Sequence, residues 1–549
     1  NDMEADLMQQ DVLEDLFEDW YGREGEDQEE FFQVVERFSG DRNDVDVEKL
    51  VLTLYNFAIQ NPWPEAWLDD LADVYDIKED WTEKDLTWLE IIKRELRDKL
   101  LGIEQEMKLA LKISRDSDGP YHYIETIEKD LEMLGLALEK LGNWDDIQRF
   151  MTASSFEDLS RKRPDVNKDK KKKVSDLRRK YKERWNGVIK DWFSRNLSAH
   201  IEDMRELAPV VRALTNIVKD FIERFATLKR EKAVVDFSDL EHLCLHLLMD
   251  ESSTIEDPKP SNVAINLQKQ FSELLVDEYQ DTNLVQETIL TLISDQVGPG
   301  NMFMVGDVKQ SIYRFRHAEP SLFIEKYKRF ASSDSSGTRI DLASNFRSRE
   351  LVLIGANYIF RQILDEQLGE ISYDKDAELI YANKMYDSLP LTEPNPELII
   401  IDRQQPEEKQ LSDDVEETSD ENYQDLEHAQ LEARTYAKKI KQWIGTEGNA
   451  PLQVVDKASE TLRDVQYRDI VILLRSMTWA PTIVDELKKQ GIPVYAELST
   501  GYFEAIEVKI MLNLLKVIDN PRQDIPLASV LKSPILGLNE NELAKIFAE

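Results

Sequence analysis

A chain of 549 residues with 41% hydrophobic composition can bury several cores, and at the usual domain size it should divide into three or four units. Its 69 Lys and Arg stand against 109 Asp and Glu, a net charge of -40, which argues against a protein that coats nucleic acid indiscriminately and requires any contact with phosphate to be local. No stretch approaches the roughly eighteen uninterrupted apolar residues of a membrane span, no basic and apolar leader opens the chain, and a single cysteine, Cys244, excludes an internal disulfide or a thiolate metal cage, so the composition predicts a cytoplasmic protein without membrane contact.

Residues 1 to about 235 predict an almost continuous helical domain, because apolar side chains recur three or four residues apart in Val12, Leu16, Trp20 and again in Leu86, Leu89, Ile92, Leu96. Both ends of the chain fall inside helical patterns and read as cut. A basic run, Arg161 to Lys173, carries eight Lys or Arg against two Asp. It predicts an exposed loop ahead of a helix from Val174 to Leu197, either a solvated surface or a contact to a phosphate backbone.

From residue 236 the pattern changes, and short apolar runs bounded by acidic or turn residues alternate with helices. Glu273 to Asp277, Met302 to Asp307, Glu397 to Asp402 and Asp469 to Leu474 predict buried parallel strands. The last opens a strand-helix-strand unit through Ala480 to Gln490 and Ile492 to Tyr495. Two α/β cores in succession are expected, with ligands gathered at the carboxyl ends of the strands, where Asp277 and Asp307 fall. The acidic stretch 404–427 is poor in apolar residues and predicts a mobile insertion, and helical sequence resumes after Asn520-Pro521.

Three segments carry chemistry. Leu274 to Asn283 (LLVDEYQDTN) puts a carboxylate pair where a strand emerges, an arrangement suited to nucleotide hydrolysis: Asp277 to hold Mg²⁺, Glu278 to polarise the attacking water. Met302 to Arg316 (MFMVGDVKQSIYRFR) repeats strand, glycine turn and polar residues, then interleaves Tyr313, Arg314, Phe315 and Arg316. Aromatic and guanidinium groups in alternation suit a single strand of nucleic acid, with bases on the rings and phosphates on the arginines. Ile340 to Ser348 (IDLASNFRS) places Arg347 after an apolar run, where a second core can present a guanidinium to a phosphate.

DEYQDTN, GDVKQSIYRFR and LASNFRS resemble motifs II, III and IV of superfamily-one helicases of the UvrD and RecB type. The stretch 467–476 (YRDIVILLRS), with Gly491 to Val494, Tyr502 to Glu504 and Asp519 to Pro521, is similar to the second motor domain and the start of its insertion. Val235 to Leu240 resembles the segment ahead of motif II. The likeness covers 236–400 and 460–549 strongly, and within the family it leans to the AddAB type of helicase-nuclease.

The resemblance implies an α/β fold of P-loop NTPase, RecA-like cores, incomplete here, with large all-α inserted subdomains. Residues 1–235 would be the helical insertion, 236–338 the rest of the first core, 339–518 part of the second core, and 519–549 the start of a further helical subdomain. Asp277 would take Mg²⁺, Glu278 would activate water, Gln310 and Arg347 would read the γ-phosphate of ATP, and Tyr313, Phe315 and Arg316 would bind DNA. The implied activity is ATP-driven, three-prime to five-prime movement on single- and double-stranded DNA in bacterial double-strand-break repair by recombination, as a heterodimer with an AddB-type partner subunit and with a nuclease domain in the parent protein. No G-x-x-x-x-G-K-[ST] phosphate loop, no motif V or VI and no recognisable nuclease domain occurs in these residues, so on their own they should be inactive as a motor. His317 stands where many family members carry glycine. Three other readings remain at this point: a stand-alone repair helicase of the UvrD type, a motor-like scaffold without turnover, and an acidic mimic of DNA.

Overall fold

The computed structural model describes residues 2–40, 43–162, 164–295, 300–331, 337–366, 371–384, 387, 395–401, 417–446, 448–456, 459, 461–496, 505–539 and 542–545. The chain divides into two compact units, Asn1–Arg339 and Ile340–Glu549.

The first unit opens with the helices α1 (Asp2–Gly22), α2 (Glu26–Phe38), α3 (Val45–Ala58), α4 (Pro64–Asp73), α5 (Thr87–Ser114), α6 (Ile124–Lys140), α7 (Trp144–Ala153), α8 (Lys168–Trp192) and α9 (Leu197–Glu231). Their apolar stripes close two cores. Leu13, Phe31, Val51 and Leu68 pack with Leu214, Ile217 and Phe221 of α9; Leu96, Ile127, Trp144, Tyr181 and Trp185 form the other core, which Leu197 at the start of α9 joins. The helix α9 is therefore shared by two bundles, and Pro209 lies inside it between these two stretches of contact. A proline there removes the bond that an N–H would give to the carbonyl four residues back, that of Arg205. The Arg205 guanidinium in turn donates to the carbonyls of Ile77 and Lys78, each at 2.7 Å. Within the second core, Asp130 is buried but accepts from Arg178 and from the Tyr181 hydroxyl, so no charge is left uncompensated.

The chain leaves α9 through Ala233, whose left-handed φ of 53° turns it into α10 (Phe237–Leu248). Lys229, buried near the end of α9, reaches Asp236 at 2.8 Å and Asp239 at 2.7 Å, the two carboxylates that form the capping box of α10. Then come α11 (Asn262–Gln270), β1 (Leu274–Val276), α12 (Leu284–Ile293), β2 (Met302–Met304) and α13 (Pro320–Arg329). β1 and β2 pair in parallel, Leu274 opposite Met302 and Val276 opposite Met304. A small core of Leu245, Leu248, Ala264, Val285 and Leu292 joins α10, α11 and α12.

In the second unit, β3 (Ser344–Asn345) and β4 (Ile380–Tyr381) pair in parallel around α14 (Glu350–Ile363). There follow α15 (Glu417–Ile444), the antiparallel hairpin β5 (Gln453–Asp456) and β6 (Thr461–Asp464), α16 (Ala480–Lys489), α17 (Ile506–Asp519) and α18 (Asp524–Lys532). Ala433, Ala437 and Ile440 of α15 pack on Ile483 and Leu487 of α16 and on Ile492.

The structure corrects several expectations. Residues 397–401 and 470–474 are not strands. Ile470, Ile472 and Leu474 face the α15–α16 core while Val471 and Leu473 face outward, the alternation of an extended chain, yet no neighbour among the described residues supplies a ladder. The same holds for 492–495, and Asp402 lies outside the described residues. The described chain is thus mostly helical, with the parallel pairing expected of two α/β cores limited to β1–β2 and β3–β4. The basic run is only partly a loop, because the Asn167 side chain accepts the N–H groups of Asp169 and Lys170 and starts α8 at Lys168. That helix stops at Trp192, and Asn196 caps α9 in the same way, so Leu197 begins a new helix. Of the acidic insertion, 404–416 lie outside the described residues and 417–427 are the first turns of α15. Helix also precedes Asn520, in α17. No helix among the described residues is long and apolar enough to cross a membrane.

Candidate functional site

The register of β1 and β2 continues past the strands themselves. Val305 N–H donates to Val276 O at 2.8 Å, and Tyr279 N–H donates to Val305 O at 2.9 Å. Asp277 and Glu278 therefore emerge beside Gly306 and Asp307 at the carboxyl edge of a parallel pair, where α/β proteins collect ligands. Both carboxylates are exposed. Glu278 adopts φ 49° and ψ 42°, a left-handed conformation that L-residues seldom hold; here it breaks the strand and starts the 3₁₀ turn Tyr279–Asp281. The Asp277 Oδ1 accepts the Glu278 N–H at 2.9 Å. Beneath them the Tyr279 ring is buried, its hydroxyl donating to Glu287 and pushed above its ordinary range by burial and then by that carboxylate. Asn283 closes the segment as N-cap of α12, in a reciprocal box with Gln286.

Sequence reading gave Gln280 no role, yet it is the residue that ties the site together. It is 1% exposed. Its Nε2 donates to Glu278 Oε2 at 2.8 Å and to Asp281 Oδ2 at 3.2 Å, and its Oε1 accepts the Asp307 N–H at 2.9 Å. This contact explains Gly306: a Cβ there would stand 2.6 Å from Gln280 Oε1 and 3.2 Å from Tyr279 N. The Asp281 carboxyl titrates above its ordinary value, through burial first and the Glu278 charge second. The only sequence signal for Gln280 was its place, two residues after an acidic pair; its burial is not visible in its residue type.

On the neighbouring segment the Asp307 carboxylate accepts from Lys309 N–H at 3.1 Å and from Gln310 Nε2 at 3.1 Å, and pairs with Lys309 Nζ at 2.8 Å. Gln310 is exposed. Beyond it Tyr313 and Phe315 are exposed, their ring centroids 5.9 Å apart and their planes at 38°. Arg316 belongs to the 3₁₀ turn Arg314–Arg316, and its side chain lies outside the described residues. His317 ends this turn at φ 61°, a backbone position that favours glycine, and its ring meets Phe57 of α3 edge-on at 4.6 Å. The end of α3 is also held by His242 Nε2 at the Ile59 carbonyl, 2.7 Å, and by Asn283 Nδ2, which donates to Gln60 Oε1 at 2.9 Å.

Asp277, Glu278, Gln310, Tyr313 and Phe315 thus all lie in the first unit, Gln310 being linked to Glu278 through Asp307 and Gln280. Arg347 belongs to the second unit, exposed after β3 in a turn that Asn345 organises by accepting the N–H groups of Arg347 and Ser348 at 3.0 and 2.8 Å. Among the described residues no three His, Cys, Asp or Glu gather as a metal cage. Exposed carboxylate oxygens at Asp277 and Glu278 fit a hard divalent cation, and magnesium usually takes one or two carboxylates together with phosphate oxygens and water.

Two family matches run along the chain. Residues 123–331 match the UvrD/REP helicase N-terminal domain and residues 340–549 the UvrD-like helicase C-terminal domain. Over its whole length the chain is 59% identical to an ATP-dependent helicase/nuclease subunit from Oceanobacillus iheyensis and 46% identical to proteins of the same name from Bacillus mycoides and Bacillus thuringiensis. It spans 43% of the length of each of these relatives. With one domain match in each structural unit and identity running from end to end, the chain carries UvrD-like helicase N- and C-terminal domains.

Proposed function

We propose that these residues form part of an ATP-dependent DNA helicase, the translocating subunit of a helicase-nuclease that processes double-strand breaks for recombination. The observation that carries this reading is the edge of β1 and β2, where an exposed carboxylate pair stands one buried glutamine away from a segment ending in two exposed aromatic rings. Nucleotide chemistry and a base-stacking surface are thereby joined within one unit. Relatives named as ATP-dependent helicase/nuclease subunits support the assignment.

In this reading Asp277 holds Mg²⁺, which when bound supplies positive charge to the phosphate oxygens of ATP. Glu278 orients the attacking water and takes its proton, held meanwhile by the Gln280 amide. Gln310 and Arg347 contact the γ-phosphate, Arg347 as a stabiliser of transition-state charge. Tyr313 and Phe315 stack on bases of a single strand, and Arg316 meets the phosphates, with movement three-prime to five-prime along that strand. The partner is an AddB-type subunit in a heterodimer, and the polymer substrate is DNA in single- and double-stranded form. The 549 residues contain no phosphate loop, so we assign turnover to the full-length protein and none to this stretch alone. The exposed apolar faces of Leu275 (72%) and Phe303 (55%) on the two-stranded sheet agree with a core completed by other residues, since parallel sheets are normally covered on both faces.

The test is ATP hydrolysis by the full-length protein, alone and with its partner subunit, with and without single-stranded DNA, comparing wild type with Glu278→Gln. DNA should raise wild-type turnover, and the substitution should remove roughly two orders of magnitude while nucleotide binding persists. A wild-type protein without DNA-dependent turnover in either state would replace the motor by a scaffold.

A further inference from the structure

An exposed glutamate side chain with nothing to hold it spreads over several rotamers. A general base displaced by about 1 Å loses on the order of 10²-fold in rate. Glu278 has little local help, because it stands past the end of β1 in a left-handed conformation and its own N–H is spent on Asp277. The carboxylate's hydrogen bond comes from Gln280 Nε2 at 2.8 Å. The orientation of that amide is fixed chemically: two carboxylates, Glu278 and Asp281, require a donor on one side, and the Asp307 N–H requires an acceptor on the other. A bridge of these dimensions has no slack, since Gly306 leaves no space for even one methyl group beside Gln280 Oε1.

The far side of the bridge leads toward the aromatic turn. Asp307 caps the short turn Val308–Gln310, accepting the Gln310 N–H through its carbonyl at 2.8 Å and the Gln310 side-chain amide through its carboxylate at 3.1 Å. Tyr313 and Phe315 follow within five residues. Through Gln280 the Asp307 backbone is thus tied to the Glu278 carboxylate.

We propose that Gln280 is a positioning residue for hydrolysis, holding Glu278 through one end of its amide and the Asp307–Gln310 segment through the other, so that occupancy of the aromatic turn by DNA sets the water-activating carboxylate. This rests on the ATPase reading above. It predicts that Gln280 governs how much DNA stimulates turnover more than how tightly nucleotide binds.

The test uses the full-length protein with its partner subunit and a single-stranded oligonucleotide. Gln280→Leu removes all three hydrogen bonds, and Gln280→Glu keeps the acceptor toward Asp307 while losing the donor toward Glu278 and Asp281. In both variants DNA-stimulated kcat should fall roughly 10- to 100-fold with the KM for ATP changed less than about two-fold. The rate without DNA should fall less, so the stimulation ratio collapses. Thermal melting identifies a variant that fails to fold, and the remaining one then decides. Wild-type kcat and stimulation in a folded variant would overturn the proposal while leaving the ATPase reading intact. A joint change of kcat, KM and melting temperature in both variants would overturn it too, assigning Gln280 to the framework. Wild-type protein without DNA-dependent turnover would overturn the ATPase reading itself, and the proposal with it.

Discussion

Gly306 and Phe315 separate two kinds of dependence at the same site. Gly306 is fixed by crowding, so Gly306→Ala forces Gln280 or the strand backbone to move and should cost about 1–3 kcal/mol of stability, read as a lower midpoint in chemical denaturation. Phe315 is 73% exposed and contributes little to the core, so Phe315→Ala should leave that midpoint in place. Single-strand affinity, followed by fluorescence anisotropy, should weaken by about 1–3 kcal/mol if a base stacks on the ring. Unchanged affinity would remove Phe315 from the DNA surface. The acidic pair, Gln310 and the aromatic turn stood out in the sequence because of their residue types and order, and the structure places all of them in the first unit. Gln280 was not, since a glutamine beside two carboxylates has the same one-letter signature whether it is solvated or buried.

Among the elements, helices were easier to read than strands for a physical reason. A helix satisfies its own backbone, so the stripe in α9 or the Asn caps of α7, α8 and α9 define it locally. A strand needs a neighbour, and the apolar run at 470–474 alternates inward and outward as a strand would without a ladder partner among the described residues. The junction of α9 with α10 is set by Lys229 and the box of Asp236 and Asp239. Asp236→Ala removes the N-cap of α10 and one partner of a buried lysine, and should cost at least about 1 kcal/mol. A melting temperature equal to wild type would show that this junction contributes nothing. In the second unit Arg463 grips Asp469 with two bonds of 2.6 and 2.7 Å and, with the Gln466 N–H, holds that carboxyl well below the usual carboxylate range. A depressed carboxyl stabilises the fold above its unfolded pKa of about 4 and loses that contribution as pH falls toward its folded value. The melting temperatures of wild type and Arg463→Met should therefore differ at neutral pH and converge in acid. A gap constant with pH would mean the pair does not titrate as described.

For the whole molecule, a net charge of -40 still leaves room for a local cationic cluster. The basic run enters the start of α8, where Lys170 is engaged by Asp116 and Asp118 while Lys171, Lys172 and Lys173 lie along the same helical turn. The single cysteine has a different consequence. Cys244 sits on α10, half-buried against the small core of Leu245, Leu248 and Val285, and burial pushes its thiol up. A protonated, shielded thiol reacts slowly with alkylating reagents at neutral pH. The thiol also belongs to the helix that Lys229 fastens to α9 and whose His242 touches the end of α3. Its labelling rate is therefore a built-in clock for the opening of this joint: in these 549 residues a maleimide has one target, and each excursion that frees α10 should register as a faster second-order rate without any residue being replaced.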